Sequence, residues 1–234
     1  MKNLHILLFT DFKKIFRDST LTMIFFVPVF IIVILRFVLS FVISKWVPEI
    51  EEYTIYFATM LSMLTAAFPS FIMSFIMLDE KDEGLFDVMK VLPFSPFAFF
   101  IYRIGFIIVF GTCFSFITMI LSDAFPQKAV QLMGYSFQYG LFSASMGIFI
   151  STVAKNKIEG VTYFKVLSSI LALPLVAFFV PEKFAYLFGI FPLHWTYQAI
   201  ISGDYQTIFF LIGLIYNLIL LAFFYKLFRL KAFR

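Results

Sequence analysis

The sequence predicts an all-α integral membrane protein. It has six transmembrane helices, an N-terminal amphipathic helix, a short charged helix after the second span and a broken external segment before the last. Three observations lead there. Of 234 residues, 62% are hydrophobic, 37 are Phe and only 14% are charged. Six apolar stretches reach the roughly 20 residues that a helix needs to cross a bilayer. Polar residues come as short islands between them, too short for a soluble domain, so residues 1–234 read as a single membrane domain.

Leu4, Leu8, Phe12, Ile15 and Phe16 recur at helical spacing, while Thr10, Lys13, Lys14 and Arg17 fall on the other side. Residues 1–18 therefore read as an amphipathic helix lying in the headgroup region. No small-residue cleavage site follows a short apolar core, so the first span is expected to stay as an anchor. Asp18-Ser19-Thr20 offers N-cap chemistry for that span, which runs from about Leu21 to Ser44 and contains Pro28 and Arg36. A polar loop, Lys45 to Glu52, leads to the second span, about Thr54 to Leu78.

Residues 79–96 begin with the acidic run Asp79-Glu80-Lys81-Asp82-Glu83-Gly84-Leu85-Phe86-Asp87 and end at Pro93 and Pro96. They predict a short helix and then a break, because proline disfavours helix at itself and at the residue before. The third span covers about Phe97 to Ser122, and a tight turn (Asp123 to Gln127) leads to the fourth, about Val130 to Val153. After the loop Lys155-Asn156-Lys157-Ile158-Glu159-Gly160 comes the fifth, about Val161 to Val180. Residues 181–206, with Pro181, Pro192 and many aromatics, are too broken to span. The sixth span, about Thr207 to Leu227, ends among Lys226, Arg229, Lys231 and Arg234.

Basic residues set the expected orientation. With the N-terminus inside, the inner face takes Lys2, Lys13, Lys14, Arg17, Lys81, Lys90, Arg103, Lys155, Lys157, Lys165, Lys226, Arg229, Lys231 and Arg234. The outer face keeps Lys45, Lys128 and Lys183. Both termini and the acidic run are then cytoplasmic in a multi-pass protein of the cell membrane. The formal charge of +4 reflects this bias and does not call for a nucleic-acid partner.

Catalytic chemistry finds no footing. There is no Gly-x-x-x-x-Gly-Lys-Ser/Thr phosphate loop, no His-Glu-x-x-His and no Gly-x-Ser-x-Gly. His5 and His194 lie on opposite sides of the predicted membrane, so with Cys113 they form no metal site of the usual kind. The single cysteine excludes an internal disulfide and reads as a small core residue. The chain does not read as an enzyme, and no cofactor or metal is expected in it.

Several features admit two readings. The acidic run either caps the second span and solvates a loop, or presents complementary charge to a basic groove on a soluble partner. Arg36 either lines a pathway, as intramembrane ionisable residues often do, or snorkels to the outer headgroups. In the fourth span Ser136, Gly140 and Ala144 share one face, and Ser143, Gly147 and Ser151 a neighbouring one. Small residues at that spacing serve close helix packing within the subunit or between subunits. Phe184, Tyr186, Phe188, Phe191, Trp195 and Tyr197 form an interfacial belt or a lid.

Glu80-x-x-Glu83-Gly84-x-Phe86-Asp87 followed by Leu92-Pro93-Phe94-Ser95-Pro96 resembles the first cytoplasmic loop of ATP-binding-cassette (ABC) exporter permeases of the second exporter type. Arg103 stands where that family has a Lys or Arg near the start of the next span. Arg17-Asp18 before a span with an early Pro28 is similar to the family's interfacial helix and first span. The Lys155–Gly160 loop and Phe191-Pro192-Leu193-His194-Trp195 likewise resemble its second loop and external aromatic segment. The resemblance covers nearly the whole chain in order, departing at Leu85-Phe86, where a Thr is common after Gly.

What the resemblance implies is a half-transporter that pairs with a second permease subunit, identical or related, and with two ABC ATPase subunits that bind ATP and magnesium. Asp79, Glu80, Asp82, Glu83, Gly84, Phe86 and Asp87 would form the ATPase-coupling helix, and Lys155, Asn156, Lys157 and Glu159 the second cytoplasmic contact. Phe191, Pro192, Trp195 and Tyr197 would gate the outer exit in a re-entrant-like segment. The cargo would be a membrane-active peptide, a drug or a lipid, moved outward. Two alternatives remain at this point: the six-span substrate-binding component of an energy-coupling-factor vitamin importer, and a motor-free immunity or scaffold protein.

Overall fold

A computed structural model describes residues 4–39, 41, 45, 48–85, 96–202 and 206–232, and every element among them is helical. Helix α1 (Leu4–Arg17) ends at Asp18. The Asp18 carboxylate accepts from the Thr20 and Leu21 amides at 2.8 and 3.2 Å. It thereby satisfies two amides that a new helix leaves unpaired, and α2 (Ser19–Val33) starts there as expected. The helix widens into a π-helical stretch, Ile34–Leu39, that carries Arg36. The expected end of the first span at Ser44 lies outside the described residues.

A 3-10 turn, Pro48–Tyr53, leads into α3 (Thr54–Asp82). No proline or glycine occurs between Leu78 and Gly84, so the acidic residues prolong this helix beyond the Leu78 boundary expected from hydropathy alone. Gly84 then takes a left-handed φ of 70°, the conformation that commonly stops a helix and that glycine adopts without steric cost. The remainder of the expected short helix, including Phe86 and Asp87, lies outside the described residues. Next come α4 (Pro96–Leu121), α5 (Ala129–Val153) and α6 (Lys157–Ala172), the last continuing as a 3-10 stretch, Leu173–Phe179. Short elements follow: α7 (Glu182–Ala185), a 3-10 turn Tyr186–Ile190 and α8 (His194–Ile201). Helix α9 (Gln206–Ala232) closes the bundle.

Among the described residues, five helical stretches are long and apolar enough to cross a membrane: Ser19–Phe37, Glu51–Asp82, Phe99–Leu121, Lys157–Phe179 and Gln206–Lys231. Outward-facing Phe30, Phe37, Val109, Ile215 and Ile219 suit contact with lipid tails. This is a multi-pass membrane protein. Helix α5, the expected fourth span, is 25 residues long but is not among the five, because serines, glycines and glutamines dilute its hydropathy.

The position of α5 explains that composition. It packs against α3, α4 and α9, while α2 and α6 flank α3 and α8 lies on α9. The small residues named above are buried inside this chain. A Cβ on Gly140 would meet the Ile108 carbonyl oxygen at 2.8 Å, and one on Gly147 would meet Ser70 Cβ at 3.2 Å. Several hydroxyls in this interior find carbonyl partners. Ser62, Ser70 and Ser74 donate to carbonyls of their own helix at 2.6–2.9 Å, and Ser143 donates across to Ala66 at 2.5 Å. Such pairing is required where no water reaches the backbone. Cys113, expected in the core, is instead exposed on α4.

Candidate functional site

The densest chemistry lies where α1 crosses the charged ends of α3 and α4. Arg103, near the start of α4, is 1% exposed. Its guanidinium meets Glu80 Oε1 at 2.7 Å and Asp11 Oδ2 at 3.1 Å, and lies over the Phe99 ring at 4.8 Å from the centroid. Lys14 Nζ reaches the same Glu80 oxygen at 2.9 Å. The Tyr102 hydroxyl donates to Asp11 at 2.8 Å. Two carboxylates and two cations from three helices thus balance one another in the interior. Burial pushes the Asp11 carboxyl above its usual range, against the pull of Arg103 and of the Tyr102 hydrogen bond. Isolated buried ions cost several kcal/mol each, so the network holds only while α1, α3 and α4 stay together.

Among the acidic residues Glu80 therefore points inward, at 3% exposure, while Asp82 and Glu83 are exposed. Asp79 pairs with Lys157 Nζ at 2.8 Å, and Asp18 lies 3.9 Å from the same ammonium. The α5–α6 loop thus closes on the acidic end of α3. Within it Asn156 caps α6 by accepting from the Glu159 amide at 3.0 Å, Glu159 accepts from the Lys155 amide at 2.9 Å, and Lys81 Nζ donates to the Ala154 carbonyl at 3.2 Å. A cleft of about 630 Å³ opens between α1 and α3, lined by Lys13, Lys14 and Arg17 and by Asp18, Asp79 and Glu83. Residues from both expected cytoplasmic contacts, with the basic face of α1, form one continuous charged surface.

At the opposite end, Arg36 forms an ion pair with Asp123 in the α4–α5 turn. Asp123 takes a left-handed φ of 52°, which Asp tolerates better than most residues. The segment expected to be external folds as short helical turns. Trp195 Nε1 donates to the Gly189 carbonyl at 3.1 Å and its ring lies 5.8 Å from that of Phe209. Tyr197 is fully buried beside Tyr139, whereas Phe191 and Pro192 are half-buried. Gln138 of α5 ties this end together, donating to the Phe210 carbonyl at 2.9 Å and accepting from Thr196 at 2.7 Å.

The family described as "Fluoroquinolones export permease protein Rv2686c-like" matches residues 11–225. The chain belongs to that family. Two curated relatives, the fluoroquinolones export permease proteins MT2760 and Rv2686c of Mycobacterium tuberculosis (strains CDC 1551 / Oshkosh and ATCC 25618 / H37Rv), are each 29% identical over 163 residues. The alignment takes in 68% of this chain and 65% of either relative, so it spans just under two-thirds of their length. No solved structure matches.

The match to the Rv2686c-like family begins at Asp11, so the whole buried network falls inside it. Asp11 and Tyr102 escape a reading of motifs. The available signal is register: Leu4, Leu8, Asp11 and Ile15 share one face of α1, which puts a carboxylate on the apolar stripe. Likewise Phe99, Phe100, Arg103, Phe106 and Ile107 follow a single buried helical face.

Proposed function

We propose that this chain is the membrane-spanning permease subunit of an ATP-driven exporter, with α5 as a sixth span enclosed by the other five. The observation that carries the reading is the charged surface at one end of the bundle. There a buried ion network makes α1, α3 and α4 a single body whose outward carboxylates, Asp82 and Glu83, face a soluble partner. That end is cytoplasmic. Separate ABC ATPase subunits dock on it, bind ATP and magnesium, and work on a pair of such permeases, two copies or two relatives. The names of the relatives favour a drug of the fluoroquinolone kind as cargo, moved outward. Catalysis belongs to the partner, not to this chain.

Mechanically, a push on the end of α3 passes through Glu80 to Arg103 and α4, and through Lys14 and Asp11 to α1. A lever of this kind carries a two-state motion of soluble subunits into a packed membrane interface. The vitamin-importer alternative needs a small-residue helix face free for its partner, and the small residues of α5 are buried within this chain.

The test is co-purification of an ABC ATPase with the tagged chain in mild detergent. Asp82→Asn/Glu83→Gln should lose the ATPase while melting unchanged, because both side chains are exposed. Retention of the ATPase by that variant, or its absence from the native chain, would remove the reading.

A further inference from the structure

A second cavity, of about 340 Å³, lies where α3, α5 and α9 end together. That volume is within the roughly 300–1,000 Å³ usual for small-molecule sites. It is lined by Lys81, Lys155 and Lys231, with Val153 and Phe228 as an apolar wall. Unlike the cleft beside α1, its lining holds no carboxylate among the described residues. The nearby Glu159 spends one oxygen on the Lys155 backbone amide. Ser151 and Thr152 donate to the Gly147 and Ile148 carbonyls of their own helix at 2.7 and 2.6 Å, which leaves the lysines as the donors. Lys81 gives one proton to the Ala154 carbonyl and keeps two.

The simplest account of these lysines is that they answer the negative ends of three helices. That account falls short on charge. Each helix C-terminus contributes about half a negative charge, so three full cations leave the pocket positive. We propose that this cavity binds the phosphate of an anionic lipid headgroup. Its place at the ends of three long helices brings it to the membrane surface, where such phosphates are concentrated, and basic pockets between spans take headgroups of this chemistry. The apolar wall suits the glycerol carbons that accompany a lipid phosphate and not a free one.

The test is native mass spectrometry of the full chain in a neutral detergent, titrated with phosphatidylglycerol, with phosphatidylcholine, and with phosphatidylglycerol in the presence of inorganic phosphate. Phosphatidylglycerol should be retained in preference to phosphatidylcholine. Lys155→Gln/Lys231→Gln should weaken it roughly 25-fold, about fivefold for each lysine, and Lys155→Arg/Lys231→Arg should restore it. Both lysines are exposed, and equal melting temperatures would confirm that the variants fold. Undiminished binding by the glutamine variant, or equal retention of the two lipids, would overturn the assignment. Displacement by millimolar inorganic phosphate would give the site to a soluble phosphate compound and overturn the lipid source. The measurement needs neither ATPase nor transport, so its failure leaves the exporter reading standing.

Discussion

Removing Arg103 tests whether the buried network is the joint of this molecule. In Arg103→Met the side-chain volume is roughly kept, but Glu80 and Asp11 lose the guanidinium at 2.7 and 3.1 Å. Only Lys14, 41% exposed, remains to balance them. An uncompensated buried charge costs about 3–5 kcal/mol, and the half-exposed Lys14 returns at most about 1 kcal/mol of that. Glu80→Gln is milder, because Arg103 keeps Asp11 and Lys14 turns to water, so about 3 kcal/mol is expected. In the double variant the two losses share one interaction, and the total should fall short of the sum by about 2 kcal/mol. Denaturant unfolding in micelles, followed by tryptophan fluorescence, measures all three. Additivity within about 0.5 kcal/mol, or a Glu80→Gln variant as stable as the native chain, would refute the argument and return Glu80 to the docking surface.

Gly140→Ala should destabilise by about 1–3 kcal/mol through overpacking against the Ile108 carbonyl, whereas Gly105→Ala, where nothing lies within 4 Å, should not; parallel thermal melts decide. Burial lowers the His194 imidazole from 6.5 to about 4. The folded state thus prefers the neutral ring: stability is full above pH 6.5 and falls as pH drops toward 4, by up to about 1.4 kcal/mol per unit. His194→Phe should therefore flatten the melting profile between about pH 7 and pH 5, and an unchanged slope would count against this. Asp123→Asn should cost under about 1 kcal/mol by the same unfolding assay, because its pair with Arg36 is exposed; a larger loss would mean that Arg36 holds the α4–α5 turn in place.

Five of the six expected spans were legible because each apolar run is interrupted by polar islands, and the start of α2 because Asp18 has the chemistry of a cap. The acidic run was legible as a cluster, but not its division of labour. Composition treats Glu80 and Glu83 alike. Glu83 stands beyond the last residue of α3, nearly one helical turn further along the axis than Glu80, so one lies under Arg103 and the other in water. Asp11 was hidden by the strongly basic face of its own helix, and its partner lies 92 positions away in sequence. Hydropathy was least informative for α5, since a helix surrounded by other helices need not resemble one surrounded by lipid.

That last point bears on how the chain is made. If α5 crosses the membrane as proposed, it is too polar for the bilayer to hold unaided, yet only residues 122–128 separate it from the strongly apolar α4. The two are expected to enter as a hairpin, α5 sheltering against α4 and α3 until α9 is synthesised and seals its remaining side. Chains truncated before residue 206 should then carry an α5 that slips back out of the membrane, and glycosylation mapping of the α4–α5 turn would record it. The enclosure of α5 thus waits on α9, and a nascent chain interrupted before that helix is left with α5 unguarded.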